Sequence, residues 1–255
     1  MEVEYKFLCP DMRDHQEMMN LIDSLNTSDK IYILSIAFEH ISTKYLDSPK
    51  GTLRNSKIAL RERQENSECF SSKDSDRKFS NKNLSMLEEK SWQKFCTEVK
   101  KQLENQSVRY DRHVLSFKWG GFTENGLHKR SEVEFDTTKG DIDFSKLGPN
   151  IYKLYKKAEK EGLVALFTTM IRRIKILVRC NDSDIEVCID EGILARDEEI
   201  SDITEKHIIS EIELELNNGS EEDLKVAADF LSEKFNLIPN EVSKYQRGLN
   251  LYYGN

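Results

Sequence analysis

The first residues of the chain alternate between charged and apolar side chains. Glu2, Glu4 and Lys6 occupy every second position, with Val3 and Tyr5 between them. Because successive side chains of a β-strand point to opposite faces, this pattern predicts a strand with one charged face and one apolar face.

Similar alternation recurs along the chain and predicts seven further strands, at Ile31–Tyr45, Ile58–Arg63, Val108–Trp119, His128–Phe135, Phe167–Arg179, Asp184–Asp190 and Ile208–Leu216. Apolar residues at helical spacing predict four helices, at about His15–Leu25, Leu84–Leu103, Ile151–Glu161 and from Ser220 onward. Turn residues between neighbouring strands favour hairpins. The predicted fold class is therefore α+β, an eight-stranded antiparallel β-barrel tunnel with peripheral helices.

One segment interrupts this order. Residues Gln64–Asn83 are rich in Ser, Asn, Asp and Lys and contain few apolar positions, as is typical of a loop. We expect a single domain over residues 1–255, with an inserted loop and helix at about 64–106 outside the barrel.

The charged strand faces raise a question of placement. Glu211, Glu213 and Glu215 share one face of a strand, where like charges repel one another. Cations occupy comparable faces of other strands, at Arg61, Arg63, Lys118, Arg130, Arg173 and Lys175. These faces are either exposed to water or line an enclosed site. A row of three carboxylates favours the enclosed site, because a hard cation such as Mg²⁺ or Mn²⁺ would compensate it, and the basic side chains would hold a polyanion.

Composition narrows the classes of protein. The net charge of −8 disfavours nonspecific nucleic-acid binding. With a mean hydropathy of −0.64, the chain has no apolar run that approaches the roughly 20 residues of a membrane span. The charged pattern begins at the first residue, which leaves no room for a signal peptide. Five cysteines without CxxC spacing favour reduced thiols, so a cytoplasmic location is expected.

Several sequence blocks, in their order, resemble the CYTH family of triphosphate tunnel metalloenzymes and, within it, bacterial inorganic triphosphatases. The opening Glu2-Val3-Glu4-Tyr5-Lys6 looks like the ExExK signature of that family, and Glu211–Leu216 resembles its ExExE row. The other similar blocks are Tyr45–Pro49, Ala59–Arg63, Leu115–Lys118, Arg130–Glu132, Arg173–Lys175, Ile185–Asp190 and Ser243–Gly248. Each block is short, but together they cover nearly the whole chain.

The resemblance implies a tunnel that binds a linear triphosphate with Mg²⁺ or Mn²⁺ and hydrolyses the terminal phosphoanhydride bond of inorganic triphosphate. The positions that match metal ligands are Glu2, Glu4, Glu132, Asp190, Glu213 and Glu215. Those that match phosphate ligands are Lys6, Arg61, Arg63, Lys118, Arg130, Arg173, Lys175, Lys244 and Arg247. The residues assigned to catalysis are Glu4, Lys6, Arg61, Lys118 and Glu213.

Alternative functions remain open at this point. Thiamine triphosphatase, class IV adenylate cyclase and RNA 5′-triphosphatase are related enzymes, and the acidic net charge disfavours the last. An organic substituent would need an aromatic mouth, for which Trp92, Trp119 and Tyr245 are candidates that more often serve as packing residues. A non-catalytic polyphosphate or nucleotide sensor is the alternative from another class. The expected partner is a small-molecule triphosphate, and the expected state is a monomer or homodimer.

Overall fold

A computed structural model describes residues 1–9, 15–71, 110–140, 142–196, 199 and 203–254. The predicted helix at Leu84–Leu103 lies outside these residues, as does the part of the predicted loop that follows Ser71.

Eight strands form a closed antiparallel barrel, as predicted. They are β1 (Glu2–Leu8), β2 (Ile31–Asp47), β3 (Ile58–Ser71), β4 (Arg112–Glu124), β5 (Leu127–Asp136), β6 (Val164–Cys180), β7 (Ser183–Ala195) and β8 (Ile208–Asn218). The strand order is β5-β4-β3-β2-β6-β7-β8-β1, and pairing of β5 with β1 closes the sheet. A two-residue strand, β9 (Ile238–Pro239), adds to the edge of β1.

Strand β3 is longer than predicted. It was expected to end at Arg63, but it continues to Ser71 and pairs with β2 as far as Ser35. Polar side chains do not prevent this, because the ladder is made by backbone groups. The first residues of the predicted insertion at 64–106 therefore belong to the sheet.

The hairpin between β4 and β5 turns at Asn125 and Gly126, both of which have positive φ angles, 50° and 79°. Such angles build the type I′ turn that matches the twist of hairpin strands. A Cβ atom on Gly126 would lie 2.8 Å from the carbonyl oxygen of Lys6. Glycine therefore allows this turn to pack closely against β1.

In the described part of the chain, four α-helices accompany the barrel: α1 (His15–Thr27), α2 (Gly148–Glu161), α3 (Glu221–Lys234) and α4 (Lys244–Tyr253). Helices α1 and α3 cover the apolar outer faces of the strands through fully buried residues such as Leu21, Leu224 and Leu231. Helix α2 covers β3 to β5 through Tyr155 and Ala158. Within the described residues, no helix is long and apolar enough to cross a membrane.

Helix α4 was not predicted, and it closes one end of the barrel. The Ser243 hydroxyl caps it by accepting a hydrogen bond from the Gln246 backbone N–H at 3.2 Å. Leu249 packs with Tyr45 and Phe167 in an apolar cluster at that end. A Cβ atom on Gly248 would lie 2.2 Å from the Phe167 ring. The helix therefore approaches the strands as closely as it does because position 248 has no side chain.

This contact gives a first prediction. Gly248→Ala should force α4 away from Phe167 and lower the free energy of unfolding by about 1–3 kcal/mol, the usual cost of overpacking. Thermal unfolding followed by circular dichroism measures the loss. The double variant Gly248→Ala/Phe167→Leu should recover part of it, because the ring that causes the clash is gone. An unchanged melting temperature for Gly248→Ala would contradict the close packing.

Candidate active site

Charged side chains point into the barrel and line a cavity of about 470 Å³. Neighbouring strands are offset by about two residues as the sheet closes, so inward side chains fall into layers along the barrel axis. As far as the described residues go, the cavity is open at the end where Met1 begins β1, and Lys244 and Tyr245 of α4 close the other end. Basic and acidic side chains are equally numerous among the described lining residues.

Three carboxylates come together near the middle of the cavity. The registers place Glu4 of β1 directly opposite Glu215 of β8, and Glu2 follows on the same face of β1. One carboxylate oxygen from each of Glu2, Glu4 and Glu215 lies within 4.8 Å of the others. Burial, together with the charges of Glu2 and Glu4, raises the pKa of Glu215 to about 7. This carboxylate cluster therefore carries more negative charge than its surroundings easily accommodate.

Two cations lie beside the carboxylate cluster. Lys118 Nζ is 2.7 Å from Glu2, and the Arg130 guanidinium is 2.6 Å from Glu2 and 2.5 Å from Glu4. Burial alone would raise the pKa of Glu2, but Lys118 and Arg130 outweigh it and hold that pKa far below its usual value. Burial and the neighbouring Arg61 and Arg130 lower the pKa of Lys118. An anion placed beside Lys118 would offset this effect.

Arg61 is fixed on the opposite wall. Its Nε donates to the Ser116 hydroxyl at 2.5 Å, and its terminal nitrogen lies 3.1 Å from Glu132 and 3.4 Å from Glu134. Burial would lower the pKa of Arg61, but Glu132 and other neighbours raise it, so the guanidinium stays charged. Ser116 and Glu132 thus hold its planar fork in one orientation.

The closed end is built around Lys244, the first residue of α4. Its Nζ lies 2.9 Å from each of Asp190, Glu211 and Glu213. Arg173 forms a two-point contact with Asp190, 2.7 Å for each nitrogen, and also contacts Glu213 at 3.0 Å. Although burial opposes it, Lys244 and the neighbouring cations lower the pKa of Glu213 well below its usual value. Carboxylates here hold cations in place.

The structure separates the six predicted metal ligands into two groups. Glu2, Glu4 and Glu215 form the carboxylate cluster. In contrast, Asp190 and Glu213 bind Arg173 and Lys244, and Glu132 lies between Arg61 and Lys118. The register sets Asp190, Glu213 and Glu132 opposite Arg173, Lys6 and Lys118, whereas it sets Glu4 and Glu215 opposite each other.

Eight of the nine predicted phosphate ligands line the cavity: Lys6, Arg61, Arg63, Lys118, Arg130, Arg173, Lys175 and Lys244. Arg247 does not. It lies one turn along α4, and its guanidinium donates to the backbone carbonyls of Lys206 and Ile208, the latter at 2.5 Å. Its position supports packing of α4 and gives no support to its predicted role in phosphate binding.

Sequence reasoning missed Glu39 and Arg112, and it assigned no role to Glu65 or Glu134 in the cavity wall. Glu39 was not recognised as a lining residue because its face of β2 continues with Ile41 and other uncharged residues. The alternation on β2 would have placed Glu39 inside once the barrel was assumed. Trp119, a candidate for an aromatic mouth, packs instead on the outer face of the barrel against α2 and its neighbours.

A sequence model of the CYTH domain matches residues 1–249 of the chain. The chain belongs to the CYTH family. Among solved structures, it is similar to a Hippeastrum protein assigned as an adenylyl cyclase that shows a dominant triphosphatase activity, with 18% identity, a TM-score of 0.51, and coverage of 96% of this chain and 93% of that one. This likeness shows the shared fold.

Two more distant structures also match this CYTH chain. One is a Bacillus halodurans protein assigned as an adenylate cyclase, with 14% identity, a TM-score of 0.45, and coverage of 97% of this chain and 96% of that one. The other is the triphosphatase of the mimivirus capping enzyme, with 14% identity, a TM-score of 0.43, and coverage of 91% and 87% respectively.

The carboxylate cluster of this CYTH chain fits a hard divalent cation. Oxygen ligands in a compact group are what Mg²⁺ and Mn²⁺ prefer. Burial, with the charges of Glu2 and Glu4, raises the pKa of Glu215, so the ionised form of this carboxyl is poorly compensated by the chain itself. A cation bound by Glu2, Glu4 and Glu215 would supply the compensating charge.

Glu215 yields a prediction about stability and pH. Its pKa of about 7 lies above the ordinary value of 4.5, so the folded protein loses stability as the pH rises between those values and carries the full penalty above pH 7. In chelator at pH 8, Glu215→Gln should therefore raise the melting temperature by about 2–5 °C. Near pH 4.5, variant and wild type should melt together.

Thermal unfolding across this pH range makes the comparison. The control is Asp229→Asn, which removes a carboxylate that is 56% exposed on α3 and should show no such dependence. Addition of Mg²⁺ at pH 8 should raise the melting temperature of the wild type more than that of Glu215→Gln. A difference between variant and wild type that does not change with pH would refute the assignment of a raised pKa.

Proposed function

We propose that this protein is a divalent-metal-dependent hydrolase that cleaves the terminal phosphoanhydride bond of inorganic triphosphate inside the barrel. The observation that carries the proposal is the arrangement of the cavity wall. A compact group of three carboxylates lies next to Lys118 and Arg130, with further cations on the opposite wall and at the closed end. Membership in the CYTH family and the triphosphatase activity of the Hippeastrum structural neighbour agree with it.

Recognition of the triphosphate would come from buried basic side chains. Lys6, Arg61, Lys118, Arg130, Arg173 and Lys244 all line the cavity. Each is already paired with a carboxylate, which holds the cation at a fixed place before the substrate arrives. Arginine can bind two phosphate oxygens at once, and lysine acts as a point charge. The wall is thus preorganised for a linear polyanion.

The carboxylate cluster would hold the metal ion through Glu2, Glu4 and Glu215. When bound, the ion would neutralise charge on the phosphate oxygens and polarise the bond that breaks. Phosphoryl transfer depends mainly on positioning and on stabilisation of negative charge. Lys118 and Arg130 would provide such stabilisation from the chain itself, because both lie within 3 Å of the cluster.

The chemistry of the wall favours an inorganic substrate over one with an organic substituent. Of the apolar lining residues, Tyr45 and Tyr245 belong to the aromatic packing at the closed end. Ile41 and Ile171 are paired with each other between the two ends and are aliphatic. Of the described residues at the open end, Met1 is the apolar one, and the others are mainly charged. A thiazole or adenine ring would find little surface there on which to stack.

Phosphate release provides the test. We expect hydrolysis of triphosphate with Mg²⁺ or Mn²⁺, slower hydrolysis of thiamine triphosphate and ATP, and no hydrolysis in chelator. Glu4→Gln should lower kcat/KM for triphosphate by about 10²–10³-fold, because it removes one oxygen ligand and one partner of Arg130.

The control for this variant is Glu62→Gln, the same substitution on the exposed outer face of β3, which should keep wild-type activity. Far-UV circular dichroism establishes that both variants are folded. Wild-type turnover by Glu4→Gln, or equal turnover in chelator, would refute the metal assignment. A preference for ATP with cyclic AMP as product would instead indicate a cyclase.

A further inference from the structure

Four glutamates encircle the open end of the cavity. Glu39 of β2, Glu65 of β3, Glu134 of β5 and Glu186 of β7 are inward-facing, and the strand registers place them in the same layer of the barrel. We refer to these four residues as the mouth ring. They come from strands around most of the circumference, so any molecule that enters from this end passes between them.

The mouth ring already holds cations of its own. Lys175 Nζ lies 2.6 Å from Glu39 and 3.9 Å from Glu186. Arg63 lies 2.9 Å from Glu65 and 3.3 Å from Glu134. These contacts fix the glutamates, so the ring is not a vacant cation site. Arg112 lies 2.5 Å from Glu65, and Arg61 lies 3.4 Å from Glu134. Among the described residues, Lys175 is the basic side chain in the same layer as the four carboxylates, and the arginines reach them from the neighbouring layers.

In the rest of the cavity, the balance between acidic and basic side chains is reversed. Beyond the carboxylate cluster, towards α4, basic side chains outnumber acidic ones. The layer spacing that follows from strand rise and tilt puts the mouth ring about 12 Å from Lys6. A linear triphosphate that reaches Lys6 and Lys244 would therefore end close to the ring. Further phosphates would have to lie among the four glutamates.

We propose that the mouth ring sets the length of the polyphosphate that the protein accepts. This inference rests on the proposed function and adds a selectivity determinant to it. Triphosphate fits between the closed end and the ring. Longer linear polyphosphates are rejected, because each added phosphate places a negative charge beside buried or half-buried carboxylates that cannot move away.

The physical basis is like-charge repulsion at an entrance with low-dielectric walls. Glu39 and Glu65 are buried, so solvent screens their charge poorly. Salt weakens such repulsion where the ring meets water, and Glu186 and Glu134 are partly exposed there. Rejection of long chains should therefore decrease, without disappearing, as ionic strength rises.

A charge series at Glu186 tests the inference. This side chain is 20% exposed and only distantly paired with Lys175, so its replacement leaves the Glu39–Lys175 contact in place. We expect the wild type to prefer triphosphate over long linear polyphosphate by at least about tenfold in kcat/KM per chain end. Glu186→Gln and then Glu186→Lys should raise the ratio of kcat/KM for the long chain to kcat/KM for triphosphate in two steps, each by about threefold or more. The ratio is the readout because Glu186 is paired with Glu215, so both substrates share any change at the carboxylate cluster.

The matched series is Asp229→Asn and Asp229→Lys on α3. It makes the same changes in net charge on a surface helix and should leave the ratio of the two substrates unchanged. Equal use of both substrates by the wild type would overturn the inference, and so would a ratio that stays flat across the Glu186 series.

A binding measurement tests this inference independently of the proposed hydrolysis. Competition of triphosphate and long polyphosphate for the cavity, measured by calorimetry in the presence of Mg²⁺, reports length selection without turnover. If triphosphate binds more tightly than the long chain and the Glu186 series narrows the gap, the mouth ring acts as inferred even when nothing is hydrolysed. If both bind equally, the inference is wrong even when triphosphate is cleaved.

Discussion

The structure depends on mutual neutralisation of charges inside a closed barrel. A carboxylate or ammonium group removed from water is costly unless a partner of opposite charge and further hydrogen bonds compensate it. Here each of the cations Lys6, Lys244 and Arg173 contacts carboxylates from two different strands. The inward side chains therefore hold one another in position, and the apolar faces are left to pack against helices outside.

This inversion of the usual globular pattern explains the rest of the architecture. An interior filled with ion pairs cannot serve as the main hydrophobic core, so the cores form between barrel and helices. The two ends of the barrel differ. One is closed by α4 and an aromatic cluster around Phe167, and the other stays open to the mouth ring. The described part of the chain thus forms a tunnel that is closed at the α4 end and open at the other.

Among the described residues, neutralisation is incomplete around the carboxylate cluster, where a ligand is expected. Burial and the charges of Glu2 and Glu4 raise the pKa of Glu215, while burial and the neighbouring Arg61 and Arg130 lower the pKa of Lys118. A metal ion would relieve the first and a phosphate group the second. The proposed substrate complex would thus complete the charge pairing that the chain alone leaves unfinished.

Local alternation in the sequence was sufficient to predict the barrel and most of the cavity wall. Glu2, Glu4 and Lys6 share a face in any strand, and the row Glu211–Glu215 does as well. Local alternation was not sufficient to assign roles to the individual acids. Glu215 faces Glu4, and Glu213 faces Lys6, because of the register between two strands that are distant in sequence. The extension of β3 and the helix α4 were missed for a similar reason. Both are stabilised by contacts with distant strands, through the pairing of Ser71 and the packing of Gly248.

Crystals of the protein with Mn²⁺ and a non-hydrolysable imido analogue of triphosphate would test the central claim most directly. Anomalous diffraction should place manganese among the oxygens of Glu2, Glu4 and Glu215, with the analogue extending from there towards Lys6 and Lys244. Manganese and analogue bound to the outer surface, with the internal ion pairs undisturbed, would contradict the account.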